Sequence, residues 1–294
     1  MGSPKKRFNP IWGAAIAVLA CTKNRNAILG WSVGTFLFVL GAIVYAYFGA
    51  SLATSATASI GFGIALSFGR KWYRIIMCRV EQHTEHLKAV TVLSGMMDGP
   101  PVYWSPHAVA PETLCLILHL LHCLRARRIL ELGSGISTLF IAKLLKDSGS
   151  GTIHSFDHDK RWADVTAAGL QERGLGHVAH VTVAPLEKID VRGEIFTWYC
   201  LPNFEPGETV DFIIVDGPPA WQGDDLARLP ALYQLRGAMN ANTVVVLDDA
   251  NRGWETEVAR RWRRDFPDLR FQKIDVGRGL LVVSESTMVF DLLP

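Results

Sequence analysis

Two patterns of apolar residues divide this chain of 294 residues. In the first part they form a block: residues 27–68 run for 42 positions without a charge. Beyond residue 100 they come as short β-branched runs alternating with stretches of helical spacing. A membrane-crossing helix needs about 20 apolar residues, so the block is about two spans long and predicts a transmembrane helical hairpin turning within residues 49–59. Lys5, Lys6, Arg7, Lys23 and Arg25 precede the block, and Arg70, Lys71, Arg74 and Arg79 follow it. Basic flanks stay cytoplasmic, so a hairpin keeps both clusters inside where a single span would strand one. One tilted or interfacial helix is the alternative, because Gly, Ser and Thr crowd the second half. A cleaved leader is less economical: residues 11–20 have the length of a signal core and VLAC loosely resembles a lipoprotein site, yet the apolar run continues behind it.

Residues 80–100 turn polar, with EQHTEHLK and then SGMMDGPP. This sets the expected organisation: a basic cytoplasmic N-terminus (1–26), a membrane segment (27–69), a connector (70–99) and a soluble domain (100–294). In that domain residues 111–124 show helical spacing behind a proline suited to a first helical turn. Strands are predicted at 128–132, 152–156, 178–183, 210–215, 243–247 and 280–283, and helices at 136–146, 160–173, 225–239 and 254–266. Such alternation predicts an α/β domain, a Rossmann-like doubly wound and mainly parallel sheet covered on both faces. In open sheets of this kind ligands bind beyond the carboxyl ends of the strands. The residues just after each strand are therefore the informative ones.

Composition narrows the class. Hydrophobic residues make up 49% and charged residues 20%, an apolar surplus that the uncharged block accounts for. A net charge of +2 gives no reason to expect a nucleic-acid partner, and the basic residues serve as membrane flanks and solvated helix faces. The five cysteines (Cys21, Cys78, Cys115, Cys123, Cys200) are odd in number and include no CxxC pair. They indicate neither a disulfide framework nor a zinc site, which fits a reducing compartment. His83 and His86 have the spacing of a metal pair but sit in a polar stretch and read as surface residues.

After the first strand comes Glu131-Leu-Gly133-Ser134-Gly135-Ile-Ser137-Thr138. The glycines let the backbone turn tightly and approach a ligand. A dinucleotide loop wants Gly or Ala where Thr138 stands, and the acid two residues before the first glycine would repel a pyrophosphate. It suits a ligand that carries an ammonium group. After the second strand Asp157 is placed to accept ribose hydroxyls, with a helix N-cap as the bland alternative. The fourth strand ends at Asp216 and the fifth at Asp248 and Asp249, near Asn251. These oxygens could hold a divalent cation such as magnesium; otherwise Asp216 starts a turn and one of the pair caps the helix near Trp254.

Over roughly residues 100–285 these motifs resemble the class I S-adenosylmethionine-dependent methyltransferases. The resemblance implies that Glu131, Gly133, Ser134 and Gly135 cradle the amino-acid part of S-adenosylmethionine, with Ser137 and Thr138 completing the loop. It further implies that Asp157 binds the ribose and that His158 lies near the adenine. Ser137 departs from the pattern, since many members carry a third glycine there. The small-molecule O-methyltransferases of the class use an Asp after the fourth strand and an Asp-Asn pair after the fifth. Asp216, Asp248 and Asp249 match that metal set in part. Tyr103, Trp104 and the aromatic run 194–204 fall where class members build a substrate lid, and are read equally as packing.

The resulting expectation is a methyltransferase acting on oxygen of a small or lipid-linked acceptor at the cytoplasmic membrane face, with Asp216 as the central acid and residues 27–69 in the membrane. An aminopropyl transferase would want more acids for a polyamine. A tethered scaffold of the same fold would be free to lose Glu131, Asp157 and Asp216. Glu131 and Thr138 disfavour a hydride-transferring dehydrogenase.

Overall fold

The computed structural model describes residues 50–99, 102–201, 209–220 and 225–294. It divides into two compact units, residues 1–81 and 82–294. Of the expected membrane segment, residues 27–49 lie outside the described residues. Helix α1 spans Ala50–Met96 and alters two expectations. Residues 50–59, all but the first residue of the proposed turn region, are continuous helix, and so is most of the connector. Among the described residues no helix is long and apolar enough to cross a membrane.

Within the second unit the C-terminal part of α1 belongs to the core, because Ala89 and Leu93 are buried and Cys115 lies against the Ala89 carbonyl. The polar character of residues 82–88 had masked the continuation of this helix to the buried Ala89 and Leu93. There follow α2 (Pro111–Leu124), β1 (Arg128–Leu132), α3 (Ile136–Ser148), β2 (Thr152–Asp157), α4 (Lys160–Glu172), β3 (Ala179–Val183), β4 (Leu186–Val191) and β5 (Glu194–Tyr199). The chain continues through β6 (Val210–Val215), α5 (Pro230–Leu235), β7 (Met239–Leu247), α6 (Gly253–Asp265), β8 (Arg270–Ile274) and β9 (Leu280–Ser284).

Seven strands form one sheet in the order β3-β2-β1-β6-β7-β9-β8. β3, β2, β1, β6 and β7 are mutually parallel, and β9 runs antiparallel to both neighbours. Order reverses beside β1, so the exits of β1 and β6 form the switch point where such folds bind ligands. The central strands are apolar at successive positions because both faces are covered. Ile129, Phe212, Ile214, Val244 and Val246 face a core with Leu93, Leu114, Ile117, Phe140 and Leu170. Leu130, Ile213, Val215, Val245 and Leu247 face another with Trp198, Leu232, Val258 and Trp262. Trp262 is completely buried and gives its indole N–H to Leu229 O at 2.8 Å, so its burial, worth about 1.5–3 kcal/mol for a large apolar side chain, carries no unpaired donor.

Several elements differ from the sequence reading. The helix expected at 225–239 is only Pro230–Leu235, preceded by turns, because Pro230 fixes the first helical turn. β7 therefore starts at Met239 rather than 243. The aromatic run is a hairpin of β4 and β5, turned by Arg192 and Gly193 at φ +56° and +85°, the two positive φ values that a tight hairpin wants. Edge strand β8 went unseen because RFQKI pairs on one side only, with β9.

Candidate active site

The exit of β1 depends on Gly133. Its φ is +100°, a region that side chains resist, and a Cβ there would lie 3.3 Å from the Asp216 carbonyl carbon and the Gly217 nitrogen. Glycine thus lets the loop rest against the end of β6, and the Gly133 N–H donates to Phe156 O at 2.8 Å. Beneath the loop Glu131 is fully buried. Its Oε2 accepts from Thr138 Oγ1 at 2.5 Å and from Ser155 Oγ at 2.7 Å, while Oε1 has no partner. Burial pushes this carboxyl above the usual range, opposed by hydrogen bonds from Ser137, Thr138 and Ser155 and assisted by the charge of Asp157.

Asp157, at the end of β2, accepts from the Ser134 N–H at 2.9 Å and its hydroxyl at 2.8 Å through Oδ2, and from the Asp159 N–H at 3.0 Å through Oδ1. Burial alone would raise its pKa, but His158, the Asp159 amide and Ser134 together bring it below the ordinary value. The helix-cap alternative goes to its neighbour: Asp159 caps α4 by accepting from the Arg161 N–H at 2.9 Å. Ser137 and Thr138 are buried in the first turn of α3. The Thr138 hydroxyl also accepts from the Gly135 N–H at 3.0 Å, so it braces Glu131 and the glycine loop.

Sequence reasoning did not single out Tyr199. The hairpin brings its ring to 6.3 Å from that of His158, and its buried hydroxyl has no hydrogen-bond partner. That hydroxyl stands so close to Gly217 that a Cβ there would collide with it. Burial, followed by the charge of Asp157, drives its pKa well above the ordinary value, so it stays a neutral donor. The signal for it was its place in the aromatic run 194–204, read equally as substrate lid and as packing. Trp198 and Trp104 are packing residues by contrast: Trp198 is buried at the core, and Trp104 donates to Val109 O at 3.0 Å and lies on Phe140. Tyr103 is exposed.

Glu131 Oε1 and the Tyr199 hydroxyl are thus buried polar atoms without hydrogen-bond partners at the exits of β1 and β5, and at the exit of β2 buried His158 Nδ1 has only a long 3.5 Å approach to Asp157 Oδ1. Buried polar groups are normally paired, so the three mark where a ligand's own polar groups belong. A carboxylate beside a glycine loop and a second carboxylate at the next strand end fit S-adenosylmethionine. Glu131 would meet its ammonium and Asp157 its ribose hydroxyls. The cofactor supplies an activated methyl group on a sulfonium.

The three aspartates also come together, with carboxylate oxygens of Asp216, Asp248 and Asp249 within 4.8 Å of one another. The surroundings do not suit a divalent ion. Arg228 Nη2 donates to Asp216 O at 2.6 Å and Oδ1 at 3.2 Å, and lies 3.5 Å from Asp249 Oδ2. Arg278 donates to Asp249 Oδ1 and approaches Asp248 Oδ2 at 3.6 Å. Two guanidinium groups already lie on oxygens of Asp216 and Asp249 that an ion would need. Asn251 is turned elsewhere and donates its amide to Asp275 Oδ1 at 3.1 Å. Nor does either paired aspartate cap α6, whose N-cap position is Arg252 without a side-chain bond. Asp248 is buried with no hydrogen bond to its carboxylate and only the 3.6 Å approach of Arg278, and Asp249 is bound by arginines. Burial and then the Asp248 charge push the Asp216 carboxyl well above the usual range, against the pull of Arg228.

Residues 130–250 match the family model described as a methyltransferase domain. No curated protein matches the sequence. Among solved structures, the O-methyltransferase TomG from Streptomyces achromogenes, involved in tomaymycin synthesis and in complex with SAM, is 18% identical at a TM-score of 0.44, covering 69% of this chain and 98% of its own. An O-methyltransferase from Bacillus cereus in complex with SAH is 18% identical at 0.42, covering 68% and 90%. A methyltransferase from Geobacter sulfurreducens is 14% identical at 0.41, covering 68% and 90%. The part of the domain that carries the glycine loop and the strand-end acids, from within β1 to the end of the Asp248-Asp249 turn, is thus similar to a methyltransferase domain.

Proposed function

We propose that this chain is an S-adenosylmethionine-dependent methyltransferase acting on a hydroxyl oxygen of a small or lipid-linked acceptor. The position of Asp216 carries the reading. It stands at the end of β6 against the glycine loop, and its side chain is 19% exposed where those of Asp248 and Asp249 are 1% and 3% exposed. It is the one carboxylate of the cluster that an acceptor can reach. Burial and the Asp248 charge raise its affinity for a proton, which suits it to take the acceptor's proton as the oxygen attacks the methyl carbon and the carbon–sulfur bond breaks. Glu131 and Asp157 fix the donor, and positioning supplies the rest of the rate.

The membrane enters this proposal through the uncharged block and the helix that follows it. Trp72, Tyr73 and Ile76 are 48%, 65% and 54% exposed beside Arg70, Lys71, Arg74 and Arg79, a mixture suited to an anionic bilayer interface. Acceptors would then be presented at the cytoplasmic membrane face.

The test is transfer of a tritiated methyl group by the full chain to a membrane lipid extract and, separately, to a pool of water-soluble metabolites. Label in an acid- and base-stable ether supports a hydroxyl oxygen as the acceptor atom, and label confined to base-labile esters would move the proposal to a carboxylate acceptor. Label confined to amines overturns it. Equal labelling of soluble acceptors, together with release of the chain from membranes by carbonate, would remove the membrane-face reading.

A further inference from the structure

Arg228 belongs to no motif that pointed to this site, yet it holds the centre of it. It lies in the turns after β6 and is 6% exposed. Nη2 donates to Asp216 O at 2.6 Å and Nη1 to Asp248 O at 2.9 Å, so one guanidinium clips together the ends of the two central strands. The same group lies 3.2 Å from Asp216 Oδ1, 3.5 Å from Asp249 Oδ2 and 3.8 Å from Glu255 Oε1. Arg278 and Arg252 flank it: Arg278 reaches Asp249 and Asp248, and Arg252 Nη1 is 2.9 Å from Asp249 Oδ2. Four carboxylates are therefore gathered around three guanidinium groups. An arginine cannot be deprotonated in a protein, and burial would cost it dearly without those acids.

We propose that Arg228 is the resident cation of this site: it stands where a divalent ion would bind Asp216, Asp248 and Asp249, and methyl transfer by this chain needs no metal. The inference rests on the methyltransferase reading of the same site. A hard divalent ion wants carboxylate oxygens at about 2.0–2.6 Å, and Arg228 Nη2 occupies the approach to both Asp216 and Asp249. Electroneutrality is met differently as well. A guanidinium carries one charge spread over a plane and fork-bonds to carbonyl and carboxylate oxygens in fixed directions. Arg228 thereby acts as a positioning residue, setting the carbonyl and the carboxylate of Asp216 at once. Any polarisation of the acceptor then comes from Asp216 and from the net field of the arginines, without a Lewis acid.

The experiment uses the full chain and begins with calorimetric titration of S-adenosylmethionine in EDTA. Absence of cofactor binding there, with binding restored by no metal, would overturn the methyltransferase reading of the site. Where the cofactor binds, manganese is then titrated by electron paramagnetic resonance into wild type, Arg228→Met and Arg228→Lys. The proposal expects no site-bound manganese in wild type or Arg228→Lys, and at least roughly tenfold tighter binding in Arg228→Met, where Asp216 loses its guanidinium partner. It also expects EDTA to leave turnover unchanged. One manganese bound by wild type and lost in Asp216→Asn would overturn it, as would turnover abolished by EDTA and restored by magnesium. The wild-type measurements decide the matter even if Arg228→Met fails to fold.

Discussion

Ser155 donates its hydroxyl to Glu131 Oε2 at 2.7 Å from the position paired with Glu131 across β1 and β2. Together with Thr138 this satisfies one carboxylate oxygen and leaves the other bare. Glu131→Gln keeps the shape: the amide oxygen takes the two hydroxyl donors and the NH2 takes the bare position, where it faces the cofactor's ammonium. Because burial raises the folded-state pKa of Glu131, the folded state holds the proton longer, and stability falls as pH rises from about 4.3, the unfolded value, through the raised value. The variant escapes that loss. At pH 7.5 its Tm should rise by about 2–4 °C, while S-adenosylmethionine affinity drops roughly ten- to hundredfold. Melting curves across pH and a cofactor titration check both, and a Tm that falls would show that the ionised carboxylate is a net stabiliser.

Gly133→Ala should harm both fold and site. The residue has φ +100° and its new Cβ would press on the Asp216–Gly217 peptide at 3.3 Å. Backbone strain of this kind costs about 1–3 kcal/mol, and relief requires the loop to lift from β6. Lower Tm accompanied by weakened cofactor binding is expected; Gly149→Ala, also at positive φ but with open space around it, should lower Tm without touching affinity.

The sheet was legible because its central strands are apolar on both faces. The runs at 210–215 and 128–132 contain little else that a helix could use, and the observed bounds of β1 and β6 coincide with the expected ones. Glu131, Gly133 and Asp157 were legible for a related reason, since a loop that must bend sharply at a strand end leaves glycine and acid at fixed spacing. Arg228 and Tyr199 were not. Arg228 sits in a turn with no periodicity, and its partners come from β6, β7 and α6, so only tertiary folding brings them together. Tyr199 belongs to a hairpin inserted between β3 and β6, part of an aromatic run that reads equally as lid and as packing until folding sets its ring beside His158. The buried end of α1 was hidden because residues 82–88 are solvated and only Ala89 and Leu93 turn inward.

That last point fixes where the catalytic unit begins. Leu93 is 1% exposed and packs in the core shared with α2 and α3. A chain starting at Gln82 keeps it; one starting at residue 100, the boundary drawn from sequence, leaves its socket open. Leu93→Ala in the longer chain should cost about 2–5 kcal/mol. Residues 82–294 should accordingly melt as one cooperative transition, with residues 100–294 melting lower by a margin close to that of the substitution. Equal melting of the two lengths would mean that the helix end contributes nothing to the core.

Tyr199→Phe separates a structural hydroxyl from a functional one. A buried hydroxyl without a partner costs the fold about 1–3 kcal/mol, and the Tyr199 hydroxyl has none. Removing it should raise the Tm of the cofactor-free protein. If the hydroxyl is held for a ligand, the same change should weaken S-adenosylmethionine roughly three- to tenfold, the loss of one hydrogen bond. The added stability given by saturating cofactor would shrink in proportion. Its placement beside Gly217 and His158 makes the coupled result the expected one. A rise in Tm with the cofactor-induced shift unchanged would assign the hydroxyl to the acceptor side of the pocket, where a fall in kcat/KM for the acceptor at constant cofactor affinity would expose it. A fall in Tm with both affinities unchanged would show that the hydroxyl is structural.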